Sequence, residues 1–220
     1  MKNFLTIVGI LVSVLGFNHH MITSSIRIIT GLLKGRKIPT LQGQGIRPTS
    51  LRAREALFSI LGPIIPGACV ADLFAGSGSI GLEALSRGAA KAIFVEQSPE
   101  AGRILESTLA QFNVDAQSLV LVQDVALAIQ NALLVGWLPF DVLYIDPPYR
   151  YEHSHQLLTE IENADLVASN GHIIYEHFSK KTPPSSIGKW TLTRTAKYGD
   201  TALTFYRPQA QTVMTSHGEP

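Results

Sequence analysis

Cysteine is nearly absent from this chain, and no other residues form a set typical of a metal site. The 220 residues contain one cysteine, Cys69. A single cysteine excludes a disulfide within the chain and any zinc or iron–sulfur site built from several cysteines. No spacing of histidines and carboxylates suggests a metal either, so we expect no metal cofactor. Cys69 lies in an apolar run and is interpreted as a core residue in a reducing compartment.

Charge is sparse and unevenly distributed. Charged residues make up 16% and apolar residues 45% of the chain, which excludes global disorder and favours one domain with a small appendage. The net charge of +1 indicates no class of partner by itself. No acidic residue occurs from position 26 to 54, however, and seven basic residues do. This segment is either a solvated surface or, as we favour, an arm that contacts phosphates. Its basic residues are Arg27, Lys34, Arg36, Lys37, Arg47, Arg52 and Arg54.

Long apolar runs are missing except near the start of the chain. Phe4 to Phe17 is almost wholly apolar, but it is too short to span a bilayer, and no small-x-small cleavage site follows it. We interpret residues 1–20 as a dispensable extension or the product of an upstream start codon. A signal for export is the alternative. The sequence therefore predicts no membrane association and a cytoplasmic protein, which we expect to be a monomer.

The order of the predicted elements indicates an α/β fold preceded by a small appendage. Ile26–Thr40 is typical of a basic β-hairpin, and Pro48-Thr49-Ser50 offers the start of a helix. Short apolar strands then alternate with helices, which favours a parallel sheet covered on both faces. Strands on either side of Tyr198-Gly199-Asp200 suggest a final antiparallel hairpin. The predicted divisions are an extension (1–25), a basic, phosphate-contacting hairpin and helix (26–62), an α/β domain (63–207) and a flexible tail (208–220).

The predicted boundaries of the sheet are specific enough to be tested. Helices are expected at Ala101–Phe112, Val125–Leu134 and Ser154–Ile161, besides one that opens after the glycine-rich turn described next. The predicted strands are Cys69–Phe74, Ala92–Val95, Leu119–Val122, Val142–Ile145, His172–Tyr175, Leu192–Lys197 and Ala202–Tyr206.

A glycine-rich turn follows the first predicted strand of the sheet. Gly76, Gly78 and Gly81 satisfy the GxGxxG pattern, in which glycines permit a tight turn and a close approach of backbone to ligand. The pattern alone is weak, because dehydrogenases share it. Glu96, at the end of the next strand, strengthens it, since a carboxylate there can accept both ribose hydroxyl protons of an adenosine group.

Asp124 ends the third strand at the same edge, where the carboxyl ends of parallel strands form a ligand-binding crevice. Together with Val125 it could contact an adenine ring, or it could cap the next helix, and the sequence favours neither. The predicted cofactor-binding residues are Asp72, Phe74, Gly76, Gly78, Glu96, Asp124 and Val125.

The most informative motif is Asp146-Pro147-Pro148-Tyr149, which ends the fourth strand. An exocyclic amine of a base is a poor nucleophile, because its lone pair is delocalised into the ring. To attack a sulfonium methyl group it must pyramidalise, and fixed acceptors for its N–H groups favour that state. The Asp146 carboxylate and the Pro147 carbonyl are such acceptors, held by the restricted proline backbone. Tyr149 offers a face on which an extruded base can stack. Asp146, Pro147 and Tyr149 are thus the predicted catalytic residues.

These motifs, in this order, resemble the bacterial family of 16S rRNA (guanine(966)-N(2))-methyltransferases. The resemblance covers residues 26–207. It rests on Arg27-Ile28-Ile29-Thr30-Gly31, Lys34-Gly35-Arg36, Arg47-Pro48-Thr49 with Arg52 and Arg54-Glu55-Ala56-Leu57-Phe58, Asp72–Ala89, Val95-Glu96, the motif at 146–149, and Lys197-Tyr198-Gly199.

The resemblance implies a Rossmann-like, seven-stranded class I methyltransferase sheet, mostly parallel with its last strand antiparallel, and an N-terminal β-hairpin. It implies S-adenosylmethionine as donor, S-adenosylhomocysteine as product, and the N2 of one guanine of 16S rRNA as acceptor, in an assembled or partly assembled 30S subunit. Asp72, Gly76, Gly78, Glu96 and Asp124 match the family's cofactor positions. Asp146 and Tyr149 match its catalytic and stacking positions. Residues 1–20 have no counterpart in the family pattern.

Two other classes of enzyme share part of this pattern. An amino-methyltransferase of adenine N6 or cytosine N4 in DNA uses the same acidic-proline-proline-aromatic chemistry, but such enzymes generally carry a separate target-reading domain, for which this chain has no room. A nicotinamide-dependent dehydrogenase shares the glycine turn, but it needs a proton-relay residue and a substrate domain that are not visible. A non-catalytic RNA-binding protein is disfavoured, because the full catalytic set is present.

Overall fold

The structure, a computed structural model, describes residues 22–41, 49–132, 137–148, 151 and 154–209. Two predicted site residues, Arg47 and Tyr149, lie outside the described residues, as do residues 1–21 of the predicted extension (1–25) and residues 210–220 of the predicted tail (208–220). The first strand, β1 (Ile22–Arg27), starts four residues before the hairpin predicted at Ile26 and pairs antiparallel with β2 (Lys37–Leu41). The predicted basic hairpin is therefore present.

A mostly parallel sheet forms the centre of the molecule. Its strands follow the order β5-β4-β3-β6-β7-β10-β9-β8 in the described chain. They are β3 (Cys69–Leu73), β4 (Lys91–Glu96), β5 (Ser118–Val122), β6 (Phe140–Ile145), β7 (Val167–Phe178), β8 (Ser186–Ile187), β9 (Trp190–Tyr198) and β10 (Thr201–Pro208). Strands β3 to β7 are parallel, and β10 lies antiparallel between β7 and β9. The predicted α/β class, the mostly parallel sheet and the antiparallel last strand are confirmed.

Two details of the sheet differ from the prediction. The seven expected strands are joined by β8, whose two residues are too few for a readable alternation. Strand β7 spans 12 residues instead of the predicted four, and its register with β6 shifts between Phe140 and Val142. The first half of β7 was not predicted, because the polar residues Ser169 and Asn170 and the glycine at 171 interrupt the apolar pattern from which a strand is inferred. The extension at its other end brings Glu176 into the sheet.

Helices cover both faces of this sheet. They are α1 (Leu51–Leu61), α2 (Ser79–Ser86), α3 (Pro99–Phe112), α4 (Val125–Ala132) and α5 (Ser154–Asn163). Apolar residues of α1, α2 and α3 pack in one buried cluster with one face of the sheet, and those of α4 and α5 pack in a second cluster with the other. Ser50 and Ser98 cap α1 and α3 by accepting hydrogen bonds from the backbone N–H groups of Ala53 and Ala101. None of the helices in the described part of the chain is long and apolar enough to cross a membrane.

The loop between β1 and β2 is fixed tightly onto α2. The buried Glu83 carboxylate accepts hydrogen bonds from the backbone N–H groups of Ile29 (2.7 Å) and Thr30 (3.0 Å). Ser86 accepts one from the N–H of Leu33 at its hydroxyl (3.0 Å). Gly31 has a φ of +89°, and a Cβ there would lie 1.7 Å from the Ser86 carbonyl oxygen, so only glycine fits. The hairpin and the sheet domain therefore pack as one unit at this contact.

Candidate functional site

A cavity of about 250 Å³ lies at the carboxyl ends of β3, β4 and β6. In open parallel sheets this edge is where ligands bind. One part of the lining comes from the glycine-rich turn and the helices after it, a second from the strand ends, and a third from the N-terminal hairpin. The lining residues that the following paragraphs use are Thr49, Asp72, Phe74, Gly76, Glu96, Tyr144 and Asp146, with Ser24, Pro39, Thr40 and Leu41 of the hairpin.

The glycine-rich turn opens the floor of the cavity to a ligand. Apart from Gly76 and its two chain neighbours, no atom of the described residues lies within 4 Å of the position that a Cβ of Gly76 would occupy, and Gly76 lines the cavity. Gly81 has a different role, since its Cβ would lie 2.3 Å from the Phe94 ring, so glycine allows α2 to pack closely on the sheet. Gly78 takes a left-handed φ of 72° at the start of α2. The turn thus combines a tight bend, close helix packing and an open approach to backbone, as the sequence predicted.

Phe74 enters this turn in a strained conformation. It has a φ of 66°, which is uncommon for a residue with a bulky side chain. Its ring lines the cavity and makes an edge-on contact with Tyr151, with 5.4 Å between ring centroids. Such strained residues concentrate at ligand sites. The predicted cofactor residue Phe74 therefore lies at the cavity.

Glu96 is held rigidly at the cavity wall. Its Oε2 accepts a hydrogen bond from the N–H of Gly76 (2.8 Å), and its Oε1 accepts one from the N–H of Ser98 (2.8 Å). Each carboxylate oxygen retains a further lone pair. The carboxylate is thus oriented by backbone on both sides and still has acceptor capacity for two hydroxyl groups.

Asp72 lies deeper, at the end of β3. Its Oδ2 accepts a hydrogen bond from the N–H of Gly81 (3.0 Å), which fixes the start of α2. Burial raises the pKa of Asp72 to about 7; the hydrogen bond from Gly81 opposes this rise, while the negative charges of Glu96 and Glu176 add to it. Asp72 therefore both shapes the turn and places a titratable group under the cavity.

Asp124 and Val125 are not among the residues that line the cavity. The Asp124 Oδ1 accepts a hydrogen bond from the N–H of Ala126 (2.8 Å), and its carbonyl accepts one from the N–H of Ala128 (2.9 Å). These contacts are those of a helix N-cap. Asp124 is exposed, and Val125 is buried in the core cluster under α4. Capping, one of the two readings that the sequence left open, is therefore present, and a role of either residue in cofactor binding stays a prediction.

Asp146 and Pro147 follow β6 directly. The Asp146 N–H donates to the Leu73 carbonyl (3.4 Å), which ties the end of β6 to the end of β3. Asp146 lines the cavity, Pro147 is buried and Pro148 is exposed. Burial raises the pKa of Asp146 well above its usual value, and the charges of Glu176 and Asp72 raise it further, while a hydrogen bond from Thr49 lowers it. Asp146 thus shares one cavity with Glu96 and the glycine turn.

A buried polar group behind Asp146 was not found from the sequence. Glu176 of β7 is 4% exposed, and its Oε2 accepts hydrogen bonds from the Thr49 hydroxyl (3.0 Å) and from the Tyr144 hydroxyl. The predicted strand stopped at Tyr175, so Glu176 was left outside it. The sequence did contain a signal for Glu176: it directly follows the fifth predicted strand, as Asp146 directly follows the fourth.

The basic residues of the N-terminal segment divide into two sets. Arg27, Lys34, Lys37 and Arg52 are exposed. Arg36 is partly buried, with its guanidinium 4.0 Å from the centroid of the Phe112 ring and its Nη2 donating to the Gln111 carbonyl (2.8 Å).

The structure contradicts the phosphate-contacting role predicted for Arg54. Its side chain is 2% exposed and donates a hydrogen bond from Nη2 to the Arg27 carbonyl (2.9 Å). Arg54 faces inward because its position in α1 is followed at helical spacing by Leu57, Phe58 and Leu61, which are also buried. A guanidinium in the core cannot reach a phosphate at the surface, so among the described residues of the predicted arm the exposed cations are the four named above.

No group of three or more histidines, cysteines or carboxylates among the described residues is arranged to hold a metal ion. The residues at the cavity instead fit an adenosine-containing cofactor. The evidence is the open space over Gly76, the oriented Glu96 carboxylate with acceptor capacity left, and the position of both at the strand ends.

The sheet order and the site at its carboxyl edge define a class I methyltransferase fold. A solved methyltransferase of Escherichia coli superposes with a TM-score of 0.71 at 33% identity, over 86% of this chain and all 100% of that one. A protein of Streptococcus mutans described as a SAM-dependent methyltransferase shares the fold with a TM-score of 0.62 at 18% identity, over 84% of this chain and 56% of that one.

Residues 26–207 match the family described as Conserved hypothetical protein 95, and the chain belongs to this family. Among its relatives is the ribosomal RNA small subunit methyltransferase D of Escherichia coli. That protein is 33% identical over 193 residues, which cover 88% of this chain and 95% of the relative.

Proposed function

We propose that this protein transfers a methyl group from S-adenosylmethionine to the N2 amine of one guanine, of the guanine 966 type, in the 16S rRNA of the small ribosomal subunit. One observation carries the proposal: Asp146, which Pro147 directly follows in the chain, lines the same cavity as Glu96 and the glycine turn. A donor and an acceptor of one methyl group must meet at a single place, and these residues supply both halves. The family relationship to an rRNA small subunit methyltransferase supports the choice of RNA.

The cofactor half consists of Glu96, Gly76 and Asp72. Bound S-adenosylmethionine supplies an electrophilic methyl group, and its sulfur keeps the electron pair of the bond that breaks. Glu96 would accept hydrogen bonds from the ribose hydroxyl groups at the lone pairs that Gly76 and Ser98 leave open. Gly76 leaves space for the cofactor over its backbone, and Asp72 holds the turn in shape. The hairpin residues Pro39 and Thr40 also line the cavity.

The acceptor half consists of Asp146 and Pro147. The Asp146 carboxylate and the Pro147 carbonyl accept hydrogen bonds from the guanine amine as it pyramidalises and becomes positively charged. After the new N–C bond has formed, Asp146 takes the proton that the amine nitrogen releases. Burial and the neighbouring carboxylates raise the pKa of Asp146, which strengthens it as a base. Stacking of the guanine on Tyr149 belongs to the proposal, although Tyr149 lies outside the described residues.

The proposed binding of RNA rests on the exposed cations of the N-terminal segment. Arg27, Lys34, Lys37 and Arg52 offer contacts to phosphates, and they are close in sequence to hairpin residues that line the cavity. We expect an assembled or partly assembled 30S subunit as substrate, because a folded RNA surface suits a fixed set of cations. With this substrate and cofactor the protein acts in the cytoplasm, as a monomer.

The decisive experiment compares 16S rRNA from cells with and without this gene. Mass spectrometry and primer extension should show one N2-methylguanine that disappears in the deletion strain and returns with the wild-type gene. Purified protein and labelled S-adenosylmethionine should then methylate small subunits from the deletion strain. An unchanged rRNA in the deletion strain, or label that enters duplex DNA instead, would contradict the proposal.

A further inference from the structure

A buried carboxylate stands behind the proposed methyl acceptor site and has no part in the function proposed so far. Glu176 lies on β7, beside the end of β6 that carries Asp146. A carboxylate that is 4% exposed is costly to bury, and the sheet does not need it, because neighbouring positions on β7 hold apolar residues such as Ile174. Its retention here points to a role at the site.

Two hydroxyl groups link Glu176 to the cavity. Thr49 donates to the Glu176 Oε2 (3.0 Å), and Tyr144 donates to the same oxygen. The Thr49 Oγ1 and the Tyr144 Oη are 3.3 Å apart, and both residues line the cavity. One carboxylate oxygen therefore joins three separate segments of the chain: the short segment that leads into α1, the strand β6 and the strand β7.

The same network surrounds Asp146 with acidic groups. The Thr49 side chain also interacts with that of Asp146, and the charged neighbours that face Asp146 are Glu176 from β7 and Asp72 from β3. Asp72 in turn faces Glu96 from β4, and Tyr144 shares the strand of Asp146. Negative charge behind Asp146 favours a positively charged amine in front of it, by simple Coulomb attraction in a poorly hydrated site.

We propose that Glu176 is a positioning residue of the methyl transfer, which acts through Thr49 and Tyr144 to orient Asp146 and supplies a second negative charge behind it. This inference rests on the proposed function. In the reaction the amine nitrogen gains the methyl group and loses one proton to Asp146. Glu176 receives neither the methyl group nor the proton. Its negative charge stabilises the cationic nitrogen after the methyl group has been added and before the proton leaves.

The test is Glu176→Gln, which keeps the shape and an acceptor oxygen but removes the charge. We expect turnover on small subunits to fall about tenfold or more, the scale of hydrogen bonds to a charged partner. S-adenosylhomocysteine affinity should stay within a few-fold. Loss of a negative neighbour also lowers the pKa of Asp146, so the acid limb of the rate profile should move to lower pH. Glu100→Gln, on the exposed first turn of α3, is the matched control and should change none of these.

A merely structural role predicts a different pattern. If turnover, cofactor affinity and thermal stability fall together while the acid limb stays in place, or if turnover is unchanged, the inference is wrong. Tyr144→Phe gives an independent check if the Glu176 variant folds poorly. It removes one hydroxyl and keeps the ring, and its loss of turnover should not add to that of Glu176→Gln, because both act in one network.

A further measurement separates this inference from the proposed function. The ¹³C carboxyl resonance of Asp146, identified by its absence in Asp146→Asn, can be titrated in wild type and in Glu176→Gln with S-adenosylhomocysteine bound. It should titrate at lower pH in the variant, whether or not rRNA is the substrate. If Asp146 titrates at lower pH in the variant but the wild-type protein does not methylate rRNA, only the proposed function is wrong. If the wild-type protein is active but the titration of Asp146 is the same in both proteins, only the role of Glu176 is wrong.

Discussion

The Glu83→Gln variant tests whether the N-terminal hairpin is an integral part of the methyltransferase domain. The fully buried Glu83 carboxylate accepts hydrogen bonds from the N–H groups of Ile29 and Thr30, and its Oε1 accepts a third from Arg87 Nε at 2.7 Å. The three donors use both oxygens. Glutamine has only one acceptor oxygen, and its amide N–H₂ group would face at least one of these donors.

The expected cost follows from these contacts. A buried donor left without a partner costs about 1–3 kcal/mol, and breaking a buried ion pair costs about 3–5 kcal/mol. Because Arg87 is only partly buried, loss of its ion pair with Glu83 should cost less than the loss of a fully buried pair. We therefore expect Glu83→Gln to lower the free energy of unfolding by about 2–4 kcal/mol, a large share of the roughly 5–15 kcal/mol of a typical domain. Because the hairpin forms one wall of the cavity, S-adenosylhomocysteine affinity should fall as well.

Urea denaturation followed by circular dichroism measures the first effect. With a slope of about 2 kcal/mol per molar urea, in the middle of the usual range, the midpoint should fall by about 1–2 M. Calorimetric titration with S-adenosylhomocysteine measures the second effect. The matched control is Glu106→Gln, an exposed glutamate of α3, which should stay within about 0.5 kcal/mol of wild type.

Two results would refute this reasoning. A Glu83→Gln protein as stable as the control would mean that the hairpin contributes little to the fold. A protein with the expected loss of stability but unaltered cofactor affinity, measured well below its urea midpoint, would mean that the hairpin wall does not contact the cofactor.

Three further predictions concern the reacting carboxylate, pH and RNA. Asp146→Ala should leave S-adenosylhomocysteine affinity within a few-fold but reduce turnover about a hundredfold or more, the scale of losing a preorganised polar group. Burial raises the pKa of Asp72 to about 7, so the native state keeps a proton that the unfolded chain releases from about pH 4 upwards. The Asp72 contribution to the free energy of unfolding must then fall as pH rises from about 4 to 7, and Asp72→Asn should remove this fall in urea titrations of the cofactor-free protein. Lys34→Glu with Lys37→Glu should weaken binding to 16S rRNA and flatten its salt dependence, whereas Arg194→Glu on β9 should change neither.

Each of these has an outcome that contradicts it. An equal loss of cofactor affinity in Asp146→Ala would assign that residue to the cofactor. Parallel pH curves for wild type and Asp72→Asn would show that Asp72 does not bind the extra proton. A salt slope unchanged by the two lysine reversals would remove the hairpin from the RNA interface.

The periodic part of the fold could be predicted from the sequence because it depends on local patterns. The seven predicted strands, the cap at Ser50 and the turn at Tyr198-Gly199-Asp200 are all present. The first half of β7 and the two-residue β8 were missed. Both form through pairing with neighbouring strands, and pairing of this kind leaves no periodic pattern in the sequence.

The candidate site was predictable in its motifs but not in its surroundings. The glycine turn, Glu96 and Asp146 were chosen from their places after successive strands, and the structure brings all three to one cavity. The hairpin wall and the Glu176 network were not predicted, since they join segments more than 30 positions apart. Arg54 was misassigned because the run of basic residues was treated as one surface, without regard to which side of α1 faces the core.

The sequence by itself determined the class of fold and the chemistry on offer. These signals are local. The periods of strands and helices, the glycines of a turn and the acidic-proline-proline motif each involve residues that are close together in sequence, so they can be interpreted without a structure. Only the tertiary structure decided which charges are buried and which face solvent, because burial depends on what the rest of the chain packs against. It buried Arg54, brought Asp72 and Asp146 to one cavity with Glu176 next to them, and lined that cavity in part with a hairpin that the sequence had suggested only as an RNA-binding arm.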